Sequence, residues 1–122
     1  MVAFSPDVFV KFLAEEDDAP VVMLNLLRFV PEGGRERHLE YLRMAEPILA
    51  RFGASILFRG DGLEILTTGP VERWDAVLLV QYPRRTAFRE MVEDAEYQKA
   101  FEVGKSALAD IVLQPLQISK GL

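Results

Sequence analysis

Asn25 stands in the middle of an apolar run, Val22-Met23-Leu24-Asn25-Leu26-Leu27. Asparagine is depleted from strands, and a buried amide without partners costs about 1–3 kcal/mol. It therefore either ties strand to loop or orients a ligand carbonyl or hydroxyl in a pocket. His38 is the only histidine. Tyr41 follows three residues later, on the same side of a helix. An inward-facing His38 would be a general base or a haem ligand; on a helix flank it is an ordinary boundary residue. The remaining candidates are mostly arginines. Arg28 shares a strand with Asn25 but points to the other face, where it would bind an anion or pair with a carboxylate at the strand end. Arg84 and Arg85 stand at a helix start, where backbone N–H groups and two cations would suit a carboxylate or phosphate; the plainer reading is an exposed pair reaching acidic residues across a dimer. Arg59 and Glu64 flank Gly60-Asp61-Gly62 and are placed to pair across a hairpin. Trp74 and Tyr82 share a strand face and read as core or dimer contact.

Several chemistries are excluded. There is no cysteine, hence no disulfide, thiolate zinc site or cysteine nucleophile. One histidine without cysteine gives no transition-metal site, and no cofactor is expected. Glycine-rich phosphate loops, Gly-x-Ser-x-Gly and His-Glu-x-x-His are all absent. With 19 acidic against 14 basic residues the net charge is −5, which argues against nucleic acid as a partner. No apolar run approaches a bilayer's thickness, and Met1 to Pro6 lacks a signal peptide's character. A cytoplasmic protein without membrane contact is the expectation.

These residues need elements to hold them. The 122 residues suit one domain, with 1–19 an N-terminal helical extension and 20–118 the core. Ser5-Pro6 starts a short helix with Val8, Phe9, Phe12 and Leu13 on one face, and Glu15-Glu16-Asp17-Asp18 is a solvated acidic loop. Pro20 to Phe29 is a strand, followed by a helix from Arg35 to Phe52, kinked at Pro47 and closed by Gly53. Ser55 to Arg59 is a strand, turned at Gly60–Gly62 into a return strand, Leu63 to Thr67. Trp74 to Tyr82 is the next central strand. Thr86 to Leu108 is helical, interrupted near Asp94. Ile111 to Ile118 is the last strand, and Pro115 suits an edge or a bulge.

This order predicts an α+β, ferredoxin-like split βαβ sandwich, with an antiparallel sheet and helices on one face. Yet strands 20–29 and 74–82 are apolar on both faces, as strands buried on both sides are. A bare apolar sheet face is larger than monomers ordinarily expose. A second copy packed sheet to sheet gives a dimeric α/β barrel, so a homodimer is expected; the alternative cover is the first helix.

Three segments carry a family resemblance: Val22-Met23-Leu24-Asn25-Leu26-Leu27-Arg28-Phe29, Trp74-Asp75-Ala76-Val77-Leu78-Leu79-Val80-Gln81-Tyr82-Pro83, and Ala87-Phe88-Arg89-Glu90-Met91-Val92-Glu93-Asp94-Ala95-Glu96-Tyr97-Gln98. Together, over Pro20 to Ile118, they resemble the domain-of-unknown-function family 1330 of the dimeric α/β-barrel superfamily. The resemblance implies a ferredoxin-like dimer and no established activity. The chain departs from the family in having Arg84 where a small capping residue usually follows Tyr-Pro.

Two functional readings remain. In one, a dimeric module binds a small organic molecule without acid–base chemistry. In the other, a cofactor-independent enzyme, monooxygenase- or isomerase-like as in other branches of the superfamily, acts on a small, partly apolar substrate. Haem degradation is disfavoured, because helix 86–108 has no histidine. The ligand-binding candidates are Asn25, Arg28, His38, Tyr41, Arg59, Trp74, Arg84 and Arg85.

Overall fold

The computed structural model describes residues 4–70 and 72–119; residues 1–3 of the segment read for a leader lie outside them. The elements are α1 (Pro6–Ala14), β1 (Val21–Phe29), α2 (Gly34–Arg51), β2 (Ser55–Asp61), β3 (Ala76–Tyr82), α3 (Arg85–Glu93), α4 (Ala95–Ser106) and β4 (Leu108–Gln117). The strands form one antiparallel sheet in the order β2-β3-β1-β4. This is the ferredoxin-like, α+β arrangement expected from the strand–helix alternation.

Alternation sorts β1 into two sets. Val21, Met23 and Leu27 are buried towards the helices, as are Leu78, Val80 and Tyr82 of β3. Leu42, Ala45 and Leu49 of α2 meet them, with Met91 of α3 and Ala100 of α4. Pro47 lies inside α2 without ending it. Gly53 closes that helix at φ +73°, its N–H donating to Ala50 O at 3.1 Å; a side chain would strain this left-handed position. Asp94 breaks the second helical stretch as expected, its carboxylate accepting the Tyr97 N–H at 3.0 Å.

The other face is different. Leu24 and Leu26 of β1 and Val77 and Leu79 of β3 are only half-buried in the single chain, and Phe58 beside them is 52% exposed. The first helix does not cover them. Phe9 and Phe12 of α1 pack against Phe88 of α3, at 6.1 and 6.4 Å between ring centroids, which places α1 in the helix layer.

Three expectations are corrected. The return strand Leu63–Thr67 does not form: β2 runs on through Gly60 and Asp61, paired with Val77 and Ala76 of β3. The described residues between Asp61 and Ala76 then form no strand, and Leu63 is 86% and Leu66 97% exposed. Trp74 precedes β3 and shares no strand face with Tyr82. The acidic loop is not simply solvated, because Glu16 Oε1 accepts both the backbone N–H and the hydroxyl of Thr86, at 2.9 and 3.0 Å. Pro115 sits on β4, an edge strand paired only with β1, where its missing N–H leaves no ladder bond unmade on the free side.

Candidate functional site

The sheet register lays out a row. Arg59 of β2 faces Leu78 of β3, Leu78 faces Asn25 of β1, and Asn25 faces Leu113 of β4. Directly paired residues share a face, so all four look towards the helices. Arg59 is there because β2 carries a bulge. Ile56 opposes Val80 and Phe58 opposes Leu79, leaving Leu57 as an extra residue. One extra residue exchanges the faces of all later positions on the strand. Phe58 therefore turns to the open face, and Arg59 turns to the helix side, where it remains exposed.

Beneath the helices this row borders a cavity enclosing about 890 Å³ of atom-free space, counting its open mouth. Apolar residues such as Met23, Leu42, Val80 and Phe88 make most of the wall. A few polar groups converge on it: Asn25, His38, Tyr41, Tyr97 and Gln98. The Asn25 amide nitrogen is satisfied by backbone, donating to Met23 O at 3.1 Å and Leu78 O at 3.3 Å. Its Oδ1 has no hydrogen-bond partner among the described residues, and it is not sealed from solvent-sized space.

The Tyr41 and Tyr97 hydroxyls are 2.7 Å apart. One proton serves that bond, so the other hydroxyl proton is free for a third group. Burial pushes the Tyr41 hydroxyl pKa well above the usual value, with Tyr97 adding to the shift, and burial raises Tyr97 as well; both stay protonated at neutral pH. Tyr41 can lie so close to α4 because residue 104 is glycine. A Cβ there would stand 2.7 Å from Tyr41 Cδ1.

His38 is only 9% exposed. Its ring lies between Phe29 and Tyr41, at centroid distances of 5.1 and 6.0 Å. Burial, then the positive field of Arg59 and Arg35, lower its pKa to about 4. It is therefore neutral at pH 7, and no hydrogen bond among the described residues engages its ring. His38, Leu27 and Leu78 also line the adjoining groove, with Arg35, Arg59 and Asp61 at the rim. The groove and the cavity thus adjoin at His38, and the groove carries the cations.

The structure brings Asn25, His38, Tyr41 and Arg59 together. It places the other four candidates elsewhere. Arg28 lies on the open sheet face, stacked 4.4 Å over Trp74, bonded to Asp110 at 3.2 Å and to Arg73 O at 2.9 Å. It is fully occupied, as the strand-end pairing predicts. Arg85 donates to Phe12 O at 3.0 Å and lies 4.9 Å over the Phe12 ring, within its own chain. The helix start it shares with exposed Arg84 is filled by Glu16, the chain's own carboxylate. Partial burial raises the Glu16 carboxyl pKa, but hydrogen bonds from Thr86 and from the Arg85 and Asp18 backbone outweigh this and draw it down to about 2. Arg59 and Glu64 form no pair among the described residues, since the hairpin that would join them is absent. Tyr82 is core, its hydroxyl 3.8 Å from Met91 Sδ.

Two residues of the site are not marked by the sequence, Tyr97 and Arg35. Tyr97 sits three residues after the Asp94 cap, where its spacing signals only packing. Arg35 precedes His38 by one turn. Among the described residues no three histidine, aspartate or glutamate side chains gather as metal ligands.

The family model for a domain of unknown function, DUF1330, matches residues 33–113. The chain belongs to the DUF1330 family. A protein of unknown function from Rhodopseudomonas palustris, RPA0582, is 30% identical, with a TM-score of 0.86 over 98% of this chain and 97% of its own. A dimeric ferredoxin-like protein of unknown function from Jannaschia sp. matches at 14% identity and TM-score 0.64, over 82% and 100% of the two chains. The hydroxynitrile lyase of Passiflora edulis matches at 8% identity and TM-score 0.68, over 87% and 99%. These last two show the shared fold alone. No curated protein matches this DUF1330 chain.

Proposed function

We propose that this DUF1330 protein is a homodimer that binds a small, largely apolar organic molecule between its sheet and its helices. The observation that carries the reading is the cavity. Its walls are apolar, while the Asn25 oxygen, the His38 ring and one proton of the Tyr41–Tyr97 pair are left without protein partners. Ligand sites have this composition, an apolar wall with a few convergent polar groups. A core packed for stability alone would satisfy such groups internally.

The dimer reading rests on the open face, where Leu24, Leu26, Val77, Leu79 and Phe58 form an apolar surface that no element of the helix layer covers. A second copy supplies the same surface in return. The Jannaschia relative is described as dimeric. Among the described residues no helix is long and apolar enough to cross a membrane, and a chain without cysteine suits the reducing cytoplasm.

A second reading, a cofactor-independent enzyme, is favoured by one observation. A neutral, unbonded histidine beside a hydroxyl donor is what general-base chemistry on a polarised substrate needs. Native mass spectrometry on gently purified protein tests the main reading. A dimer of about twice 13.8 kDa carrying a small-molecule adduct is expected, and the adduct should be lost on Asn25→Ala while the dimer persists. A bare monomer, or an adduct retained by the folded variant, overturns it.

A further inference from the structure

We infer that the ligand is a carboxylate: its acid group seats on Arg59 at the cavity mouth, and its apolar body enters past His38 towards Asn25. The inference rests on the ligand-binding reading above and adds to it the chemical class of ligand.

Charge at the mouth is unbalanced. Arg35 is tied to Asp61 and lies 5.0 Å over the Phe29 ring. Arg59 has no ion-pair or hydrogen-bond partner among the described residues, although the chain carries an acidic excess of −5. The groove therefore presents two guanidinium groups against one carboxylate. The bulge at Leu57 is what turns Arg59 to this side. Were the strand to alternate regularly from Ile56 onward, its side chain would leave by the open face. Bulges often re-aim a side chain beside a site in this way.

The rest of the mouth speaks to the ligand's body. Leu27, Leu39, Ala76 and Leu78 line it alongside the cations. An arginine fork matches a carboxylate with two parallel hydrogen bonds. His38 stands between this cation and the deep cavity, neutral and able to accept or donate one further bond. Only one guanidinium is free and no glycine-rich loop faces the groove, so a single negative charge is the match.

Two pairs of probes test this by calorimetry on the full dimer: phenylacetate against phenylacetamide, and hexanoate against hexanamide. The acids should bind about tenfold more tightly than the amides, as a charge-assisted, bidentate contact implies. Arg59→Gln should bring the ratio to near unity, and Arg59→Lys should keep part of it. Because His38 is the sole histidine, its proton NMR signal gives a second readout. Bound acid should move its titration upward, and bound amide should leave it in place. Amides binding as well as acids, an undiminished ratio in Arg59→Gln, or an unmoved histidine titration overturns the carboxylate assignment and leaves the cavity reading standing. Binding of neither acid nor amide overturns both.

Discussion

Two clusters of polar residues lie on opposite faces of the same sheet, and they are built in opposite ways. On the open face Arg28 is stacked on Trp74, paired with Asp110 and bonded to the Arg73 carbonyl. Every donor direction that matters there is taken. On the helix face Arg59 and the Asn25 oxygen line two adjoining pockets that share His38, and none of the three has a protein partner among the described residues. Both clusters contain an arginine towards the end of a strand. The difference between them is saturation. A saturated cluster holds strands in register, whereas an unsaturated one in an apolar cavity retains the capacity to bind.

The comparison breaks most visibly at the open face. Leu26→Asp places a charge in the centre of the apolar surface proposed to meet a second copy, and a buried unpaired charge costs several kcal/mol. The dimer should dissociate, read as a halved mass by light scattering, while far-ultraviolet circular dichroism is retained. A dimer that survives would mean the two copies meet elsewhere. A smaller effect is expected on the helix side from Gly104→Ala. Its methyl displaces Tyr41 and separates the hydroxyl pair, costing about 1–3 kcal/mol in thermal unfolding, the range for overpacking. Ligand affinity should fall with it; unchanged affinity would remove the tyrosine pair from the site.

His38 adds a pH dependence of comparable size. Its folded pKa of about 4 lies below the ordinary 6.5, so the unfolded chain binds its proton first. Stability from this group is full above pH 6.5 and declines as pH falls towards 4. A loss of about 2 kcal/mol is expected, discounted from the full shift because the ring borders the open mouth. Arg35 of α2, Arg59 of β2 and the Asp61 carboxylate are the charged groups at this rim, and the Tyr41 hydroxyl stays neutral. His38→Gln should flatten the denaturation profile across that window; a wild-type slope in the variant would assign it to other groups. The Glu16 window lies lower, below about pH 4.5, so the two separate. The smallest effects sharpen the contrast directly. Arg28→Gln should lower stability by about 1 kcal/mol, since a half-exposed ion pair and its stacking contribute little more. Arg59→Gln should leave stability within about 0.5 kcal/mol. Equal losses in both would erase the distinction between the clusters.

Much of the fold was legible in the sequence because it depends on local rules. Apolar residues on both faces of β1 and β3, the capping aspartate at 94 and the glycine after α2 each announce their structure within a few residues. Asn25 was legible for the same reason: an amide among leucines has to be explained. Arg28 was legible because a strand-end arginine needs a nearby carboxylate. What was hidden depends on distant partners. Glu16 and Thr86 are 70 residues apart, and nothing around either one marks the contact. The return strand failed because β3 draws β2 onward through Gly60 and Asp61, and no third strand is needed to satisfy that edge. His38 looked like a boundary residue because its burial comes from Phe29 and the helix packing, not from its own neighbours. The inward turn of Arg59 depends on one unpaired residue that no composition rule signals.

That unpaired residue makes the pairing of β2 a determinant in its own right. Side chains along the strand can vary while each stays opposite its partner on β3, because each then keeps its assigned side. Closing the bulge by sliding the later residues one place would exchange interior for exterior at every one of them. It would hand the cation to the open face and the phenylalanine to the helix side. Deleting Leu57 alone would do neither, since Phe58 would still meet Leu79 and Arg59 would still meet Leu78.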